Sequence, residues 1–320
     1  MRKLTNNSND PASGGALPAV PENRHDMPGE VVAPVLRWYA SHARDLPWRG
    51  PGSCPWSVLV SEIMLQQTPV ARVLPAHAAW LARWPTPESL AAAAPADAVR
   101  QWGRLGYPRR ALRLHATACI LTDQHGGQVP ASVTELTALP GVGAYTAAAV
   151  ASFAFGQRHA VLDTNVRRVL ARLMRGEHQP PRAVSAAERR LAQSLLPAAP
   201  RRAARWSVAV MELGALVCTA ARPRCGSCPV ARHCSWRLAG SQPGPGRPTP
   251  ARYTGSDREC RGRLLAVLRA ATGPVPAARL DAAWPAGDQR ARALAALIAD
   301  GLARPAGPGY YGLPERPLPT

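Results

Sequence analysis

Four cysteines, Cys218, Cys225, Cys228 and Cys234, fall close together in the spacing C-x6-C-x2-C-x5-C. Thiolates this near in sequence can wrap one soft metal centre, and the chain has to fold so that the loop closes around it. An iron–sulfur cluster suits such an all-thiolate set, and zinc is the alternative, since it also takes four thiolates. Only one short CxxC pair is present, with wider spacings outside it. Cys54, Cys119 and Cys260 are scattered and read as structural. The opening stretch MRKLTNNSNDPASGG has no apolar h-region. Together these features fit a metal site in a reducing cytoplasm better than a secreted disulfide framework.

The rest of the chain reads as all-α. VVAPVLRWYASHA (residues 31–43) predicts a first helix. Residues 53–157 predict short helices separated by Pro and Gly: PWSVLVSEIMLQQ, VLPAHAAWLARW, TPESLAAAA, PADAVRQWGRL and RRALRLHATACILTDQ. Residues 164–175 and 183–217 read as helical again. Residues 1–28 are polar and rich in Asn, Pro and Gly, the composition of a disordered tail. GSQPGPGRPTP (240–250) reads as a linker. In residues 251–320, three short helices precede ARPAGPGYYGLP, a predicted hairpin, which is the outline of a winged helix. No run approaches the ~18 apolar residues of a membrane span.

Three positions carry chemistry. Glu62 lies inside VLVSEIML, where its helical neighbours are Val58, Leu59, Leu65 and Gln66. A carboxyl among apolar side chains resists ionisation, so its pKa rises and it holds a proton near neutrality. LPGVGAYTA places two glycines in a turn between helical stretches, with the next helix starting near Ala144. The free N–H groups there form a phosphate site. Asp163, in HAVLDTNV, is placed to cap a helix N-terminus, where backbone N–H groups and the helix dipole lower its pKa. Net charge is +19 and the pI about 11.1, which points to a polyanionic partner.

In this order the features resemble the helix–hairpin–helix DNA glycosylases of the endonuclease III superfamily. SEIMLQQT, LPGVGAYTA and MELGALVC with its following cysteines resemble the adenine DNA glycosylase (MutY-type) branch, over residues 31–238. The resemblance implies a six-helix domain (53–157) carrying the hairpin, and an iron–sulfur cluster domain (29–52 and 158–239). One 4Fe–4S cluster would sit on Cys218, Cys225, Cys228 and Cys234, with damaged DNA between the domains. It implies a monomer that removes adenine mispaired with 8-oxoguanine or guanine in double-stranded DNA, in the cytoplasm at the nucleoid. Glu62 would be the acid, and Asp163 the carboxylate beside an oxocarbenium-like sugar. Trp48, Arg49 and Met211 would line the adenine pocket. Gln66, Gln67, Leu105 and Tyr107 would fill or probe the gap around the opposite base. Thr68, Gly141, Gly143 and Asn165 would complete the DNA contacts.

Tyr145 stands where lyase members carry Lys, and the only lysine is Lys3. Base excision without Lys-dependent strand cleavage is the expected outcome. Three departures stand out. Val208 replaces a common Gln or Glu, Pro108 replaces a second Tyr, and the predicted helical module stands in place of a larger Nudix-like domain. Two other readings compete. One is a thymine or uracil mismatch glycosylase on the same scaffold, and the other a non-enzymatic iron–sulfur DNA-binding regulator. Glu62 and Asp163 together weigh against the second, and Glu62 favours adenine over the first.

Overall fold

The computed structural model describes residues 27–50, 52–242, 244 and 252–315. The expected tail, apart from residues 27 and 28, lies outside them, as do Lys3 and most of the expected linker.

Fifteen α-helices are present among the described residues. Helix α1 (Met27–His42) leads into a 3-10 turn, Pro47–Arg49. Then follow α2 (Pro55–Leu65), α3 (Val70–Arg83), α4 (Pro87–Ala91), α5 (Pro95–Trp102), α6 (Arg109–His125), α7 (Val133–Ala138) and α8 (Ala144–Phe155). Proline at the first helical position starts α2, α4 and α5, where its missing N–H costs nothing and its φ is already helical. In α2 every residue from Trp56 to Met64 is buried, because α3, α6 and α8 all pack on it. A helix covered on all sides carries no amphipathic stripe.

Helix α9 (Thr164–Leu170) continues as one π-helical turn, Ala171–Arg175. The expected helical stretch 183–217 is two helices, α10 (Ala186–Ser194) and α11 (Pro200–Leu216). Pro197 lies in the break and Pro200 opens α11, and neither can continue a helix from the residues before it. The cysteine loop ends in α12 (Ser235–Leu238).

The C-terminal module runs α13 (Asp257–Ala270), β1 (Val275–Pro276), α14 (Ala277–Ala283), α15 (Gly287–Ala299), β2 (Arg304–Pro305) and β3 (Tyr310–Gly312). The expected hairpin, β2–β3, gains β1 as a third antiparallel strand in the order β1-β3-β2, with Val275 opposite Tyr311.

Buried side chains form two clusters. One spans Leu46 to Ala151 and continues without a break into the C-terminal module, from Cys260 to Leu313. The other joins Val31–Trp38 of α1 to α9, α10, α11 and Val230 of the cysteine loop. Helix α11 touches both α8 and α9, so the ends of α2, α8 and α9 meet along the seam between the clusters.

Candidate active site

Glu62 is 4% exposed on α2. Its Oε2 accepts a hydrogen bond of 3.1 Å from the Tyr145 hydroxyl, in the first turn of α8. Burial pushes its pKa up to about 7, against the pull of Tyr145 and Arg49, while nearby Asp163 adds to the rise. Tyr145 is held well above its ordinary value, again chiefly by burial, so it stays a neutral phenol.

Asp163 caps α9 as expected, accepting from the Val166 N–H at 2.6 Å and the Asn165 side-chain amide at 2.7 Å. The expectation that its pKa falls is not met. Burial raises it and outweighs the capping bonds and Arg168. The two carboxyls nevertheless differ in kind. Asp163 faces N–H donors on both oxygens, which favours the anion, whereas Glu62 faces one hydroxyl.

Asn165 extends the arrangement. Its Oδ1 accepts from Arg168 at 2.9 Å, and Arg168 also donates to the carbonyls of Gly214 (2.7 Å) and Cys218 (2.7 Å). A Cβ on Gly214 would stand 2.7 Å from that of Asn165, so only glycine lets α11 approach α9 this closely.

Sequence reading missed Glu212. It is fully buried on α11 and accepts from Arg44 (2.6 Å) and Arg49 (2.7 Å). Burial alone would raise its pKa, but the two guanidinium groups hold it down to about 2. Arg49 also contacts the Met211 sulfur at 3.7 Å. Val208, one turn earlier, is buried. Because the folded pKa of Glu212 lies below 4.5, its contribution to stability is present above that value and lost as pH falls toward about 2. Glu212→Gln strands two guanidinium groups and is expected to cost about 3–5 kcal/mol in urea unfolding at neutral pH. In acid the difference from wild type shrinks.

Trp48 is buried in the first core, edge-on to His77 with ring centroids 5.0 Å apart. Two further expected probes are otherwise engaged. The Gln66 amide donates to the Gly141 carbonyl (3.2 Å) and Thr146 Oγ1 (3.3 Å), tying the end of α2 to the hairpin. Leu105 is 5% exposed and packs in the core. Gln67 and Tyr107 are exposed, and both non-glycine residues adopt positive φ, 57° and 47°. Gly141 needs its φ of 80°, whereas Gly143 is extended and has open space where a Cβ would stand.

Arg110, also unforeseen, holds these two loops. It is 5% exposed, and no carboxylate appears among its hydrogen-bond partners. Nη1 donates to the carbonyls of Ile63 (2.9 Å), Met64 (2.8 Å) and Gln66 (2.7 Å), groups at the end of α2 beyond the helical ladder. Nη2 donates to Thr68 Oγ1 (2.8 Å) and the Gly106 carbonyl (2.9 Å). The planar fork thus joins the segments that present Gln67 and Tyr107.

The four cysteines line one cavity with Arg172, Val217, Pro223, Ala231 and Trp236. Arg172 donates to Cys218 Sγ at 3.5 Å, Cys228 accepts from the Val230 N–H, and Cys234 accepts from the N–H groups of Trp236 and Arg237. Among the described residues, no group of three or more His, Cys, Asp or Glu is placed to hold a single ion. Four cysteines lining one cavity, three of them receiving N–H donors, fit the donor set of an iron–sulfur cluster.

This fold and site define a helix–hairpin–helix DNA glycosylase. The family model for HhH-GPD superfamily base excision DNA repair proteins matches residues 60–194. A thermostable thymine-DNA glycosylase structure superposes with a TM-score of 0.60 at 27% identity, covering 66% of this chain and 96% of that one. Endonuclease III trapped covalently on DNA superposes with a TM-score of 0.57 at 23% identity, covering 68% and 98%. The chain belongs to the adenine DNA glycosylase family. It is 52% identical to the adenine DNA glycosylase of Mycobacterium tuberculosis H37Rv over 284 residues, 88% of this chain and 92% of the relative. It is 50% identical to that of Mycolicibacterium smegmatis over 287 residues, 88% and 96%. It is 42% identical to the human adenine DNA glycosylase over 212 residues, 63% and 38%. Among the described residues, no helix is long and apolar enough to cross a membrane.

Proposed function

We propose that this protein excises adenine mispaired with 8-oxoguanine or guanine in double-stranded DNA, by monofunctional hydrolysis of the N-glycosidic bond. The observation that carries this reading is a buried Glu62 with a pKa of about 7, hydrogen-bonded by Tyr145 and close to the N-capped Asp163. Glu62 gives its proton to a ring nitrogen of adenine. The C1′–N9 bond then breaks, with its electron pair leaving on the base. Asp163, ionised among N–H donors, stabilises the positive charge that develops on the sugar. Water adds to C1′, its proton passes to a carboxylate, and an abasic site remains. Tyr145 orients Glu62 and excludes water. Arg49, pinned by Glu212, and Met211 border the space for the extruded base, with Trp48 packed behind them. Asn165 steadies Asp163.

Gln67 and Tyr107 enter the duplex, while Gln66, Thr68 and Leu105 hold them from below. The open face of Gly143 and the α8 N-terminus receive a backbone phosphate, and Gly141 shapes the turn. Residues 53–157 and the pair 29–52 with 158–239 act as two domains gripping DNA as a monomer, consistent with +19 net charge. Excision would take place in the cytoplasm, at the nucleoid.

Cys218, Cys225, Cys228 and Cys234 hold one 4Fe–4S cluster, which closes the loop structurally. Burial pushes the Cys228 thiol up to about 11, and the other three thiols add to the rise. Four thiolates this close repel one another, and a cationic centre between them offsets that repulsion. Cys228→Ser is expected to reduce iron content and broad visible absorbance near 400 nm by roughly half or more, and to lower the unfolding midpoint. Unchanged iron per chain would contradict the assignment.

The test of function is a panel of duplexes carrying A, T or U opposite 8-oxoguanine or G, with strand breaks scored before and after alkali. Breaks are expected after alkali on the adenine duplexes alone, and none before it, since the one lysine, Lys3, lies far in sequence from the site. Cleavage of T or U duplexes at comparable rates would instead establish the mismatch-thymine reading. Breaks without alkali would refute monofunctional hydrolysis.

A further inference from the structure

We propose that the C-terminal module is part of the lesion-reading apparatus: it clamps both feet of the loop that carries Tyr107. The inference rests on the reading above, in which Tyr107 enters the duplex.

The loop leaves α5 at Gly103 and enters α6 at Arg109. On the first side, Arg269 of α13 donates to the Gly103 carbonyl, and Arg100 of α5 donates to the Ala271 carbonyl at 3.3 Å. On the second, Arg109 pairs with Asp300 at 3.1 Å. Asp300 ends α15 and is itself held by Arg261 of α13 at 2.5 Å. Helix α13 packs against α5, and the module's buried residues continue the first core. Module and loop are thereby one packed unit. Between the two feet, Leu105 is sunk in the core while Tyr107 stands 54% exposed on a left-handed backbone. A strained exposed aromatic keeps its place only if its flanks are over-determined.

Arg269 is a costly choice for mere packing. Burial lowers its pKa to about 10, and its Nε and Nη2 have no hydrogen-bond partner among the described residues. An apolar side chain would fill the same place more favourably. What the guanidinium adds is the bond to Gly103, where the loop leaves α5. The module needs no DNA contact of its own for this role. It acts by limiting how far Tyr107 can stray.

The test uses full-length protein and the ratio of two affinities measured by fluorescence anisotropy. One is for a duplex with an uncleavable abasic analogue opposite 8-oxoguanine, the other for the undamaged duplex. Arg269→Met with Asp300→Asn is expected to lower this ratio about tenfold, with affinity for undamaged duplex within about twofold of wild type. In a Tyr107→Ala background the same pair is expected to lower the ratio by less than about twofold, because the effects pass through one side chain. Arg109→Gln breaks the second foot from the other side and replaces the pair if it fails to fold.

A ratio unchanged by either set of brace variants, or losses that simply multiply with that of Tyr107→Ala, would overturn the brace. A purely structural role would lower the melting temperature without moving the ratio. If Tyr107→Ala alone leaves the ratio unchanged, the reading of Tyr107 fails and the brace with it. That result is distinct from one in which only the brace variants are silent.

Discussion

Replacing Glu62 with Gln is expected to lower single-turnover excision by about 1,000-fold or more, the upper part of the range for a general acid, while duplex affinity stays within about threefold. The amide keeps the shape and can still accept from Tyr145, but it has no proton to give to the leaving base. In wild type the rate is expected to fall about tenfold per pH unit above about pH 7, as the acid ionises. Stability changes in the same sense as activity. The folded-state pKa of about 7 lies above the ordinary 4.5. Folding therefore favours the proton, a contribution complete below about pH 4.5 and lost as pH rises through 7. The difference amounts to about 3 kcal/mol. Glu62→Gln escapes that loss, so its stability relative to wild type is expected to rise by about this amount between about pH 5 and about pH 8 in urea unfolding. A variant that keeps excision within tenfold of wild type would remove Glu62 from the chemistry.

Arg110→Leu is expected to cost on the order of 3–5 kcal/mol, the range for removing one side of a buried charged network. The loss leaves the buried carbonyls of Ile63 and Met64 and the Thr68 hydroxyl without this donor, and frees the part-buried carbonyls of Gln66, Gly106 and Tyr107. The carbonyls of Ile63 and Met64 sit at the negative end of α2, where a cation is also favoured by the helix dipole. Arg110→Lys recovers little, because one ammonium cannot span acceptors on two separate loops in one plane. Urea unfolding reads the energy. Limited proteolysis between Arg104 and Arg109 reads the release of the loop, and faster cleavage than in wild type is expected there. Unfolding within 1 kcal/mol of wild type would show that the loops hold themselves.

Glu62 was legible in the sequence because its apolar surroundings lie on its own helix. The cap of α9 was legible for the same reason, being a contact within a few residues. Asp163 shows where such reading stops. Its capping bonds are local, but the burial that reverses the expected direction of its pKa is supplied by neighbouring elements packed around the seam. Gln66 was expected to probe the gap around the opposite base, but its amide is bound by the hairpin, far along the chain. Glu212 gave no signal in MELGALVC, because its partners Arg44 and Arg49 arrive from a distant segment.

By itself the sequence determined what depends on neighbours along the chain: helices, breaks at proline, the glycine turn, a carboxyl set among apolar residues and four thiols close enough to share a centre. Only the tertiary structure decided that the pKa of Asp163 rises, that Gln67 and Tyr107 stay exposed while Gln66 and Leu105 do not, and that one guanidinium joins the two exposed loops. Those outcomes turn on desolvation and on hydrogen-bond partners brought together from separate segments, and neither exists until the chain has packed.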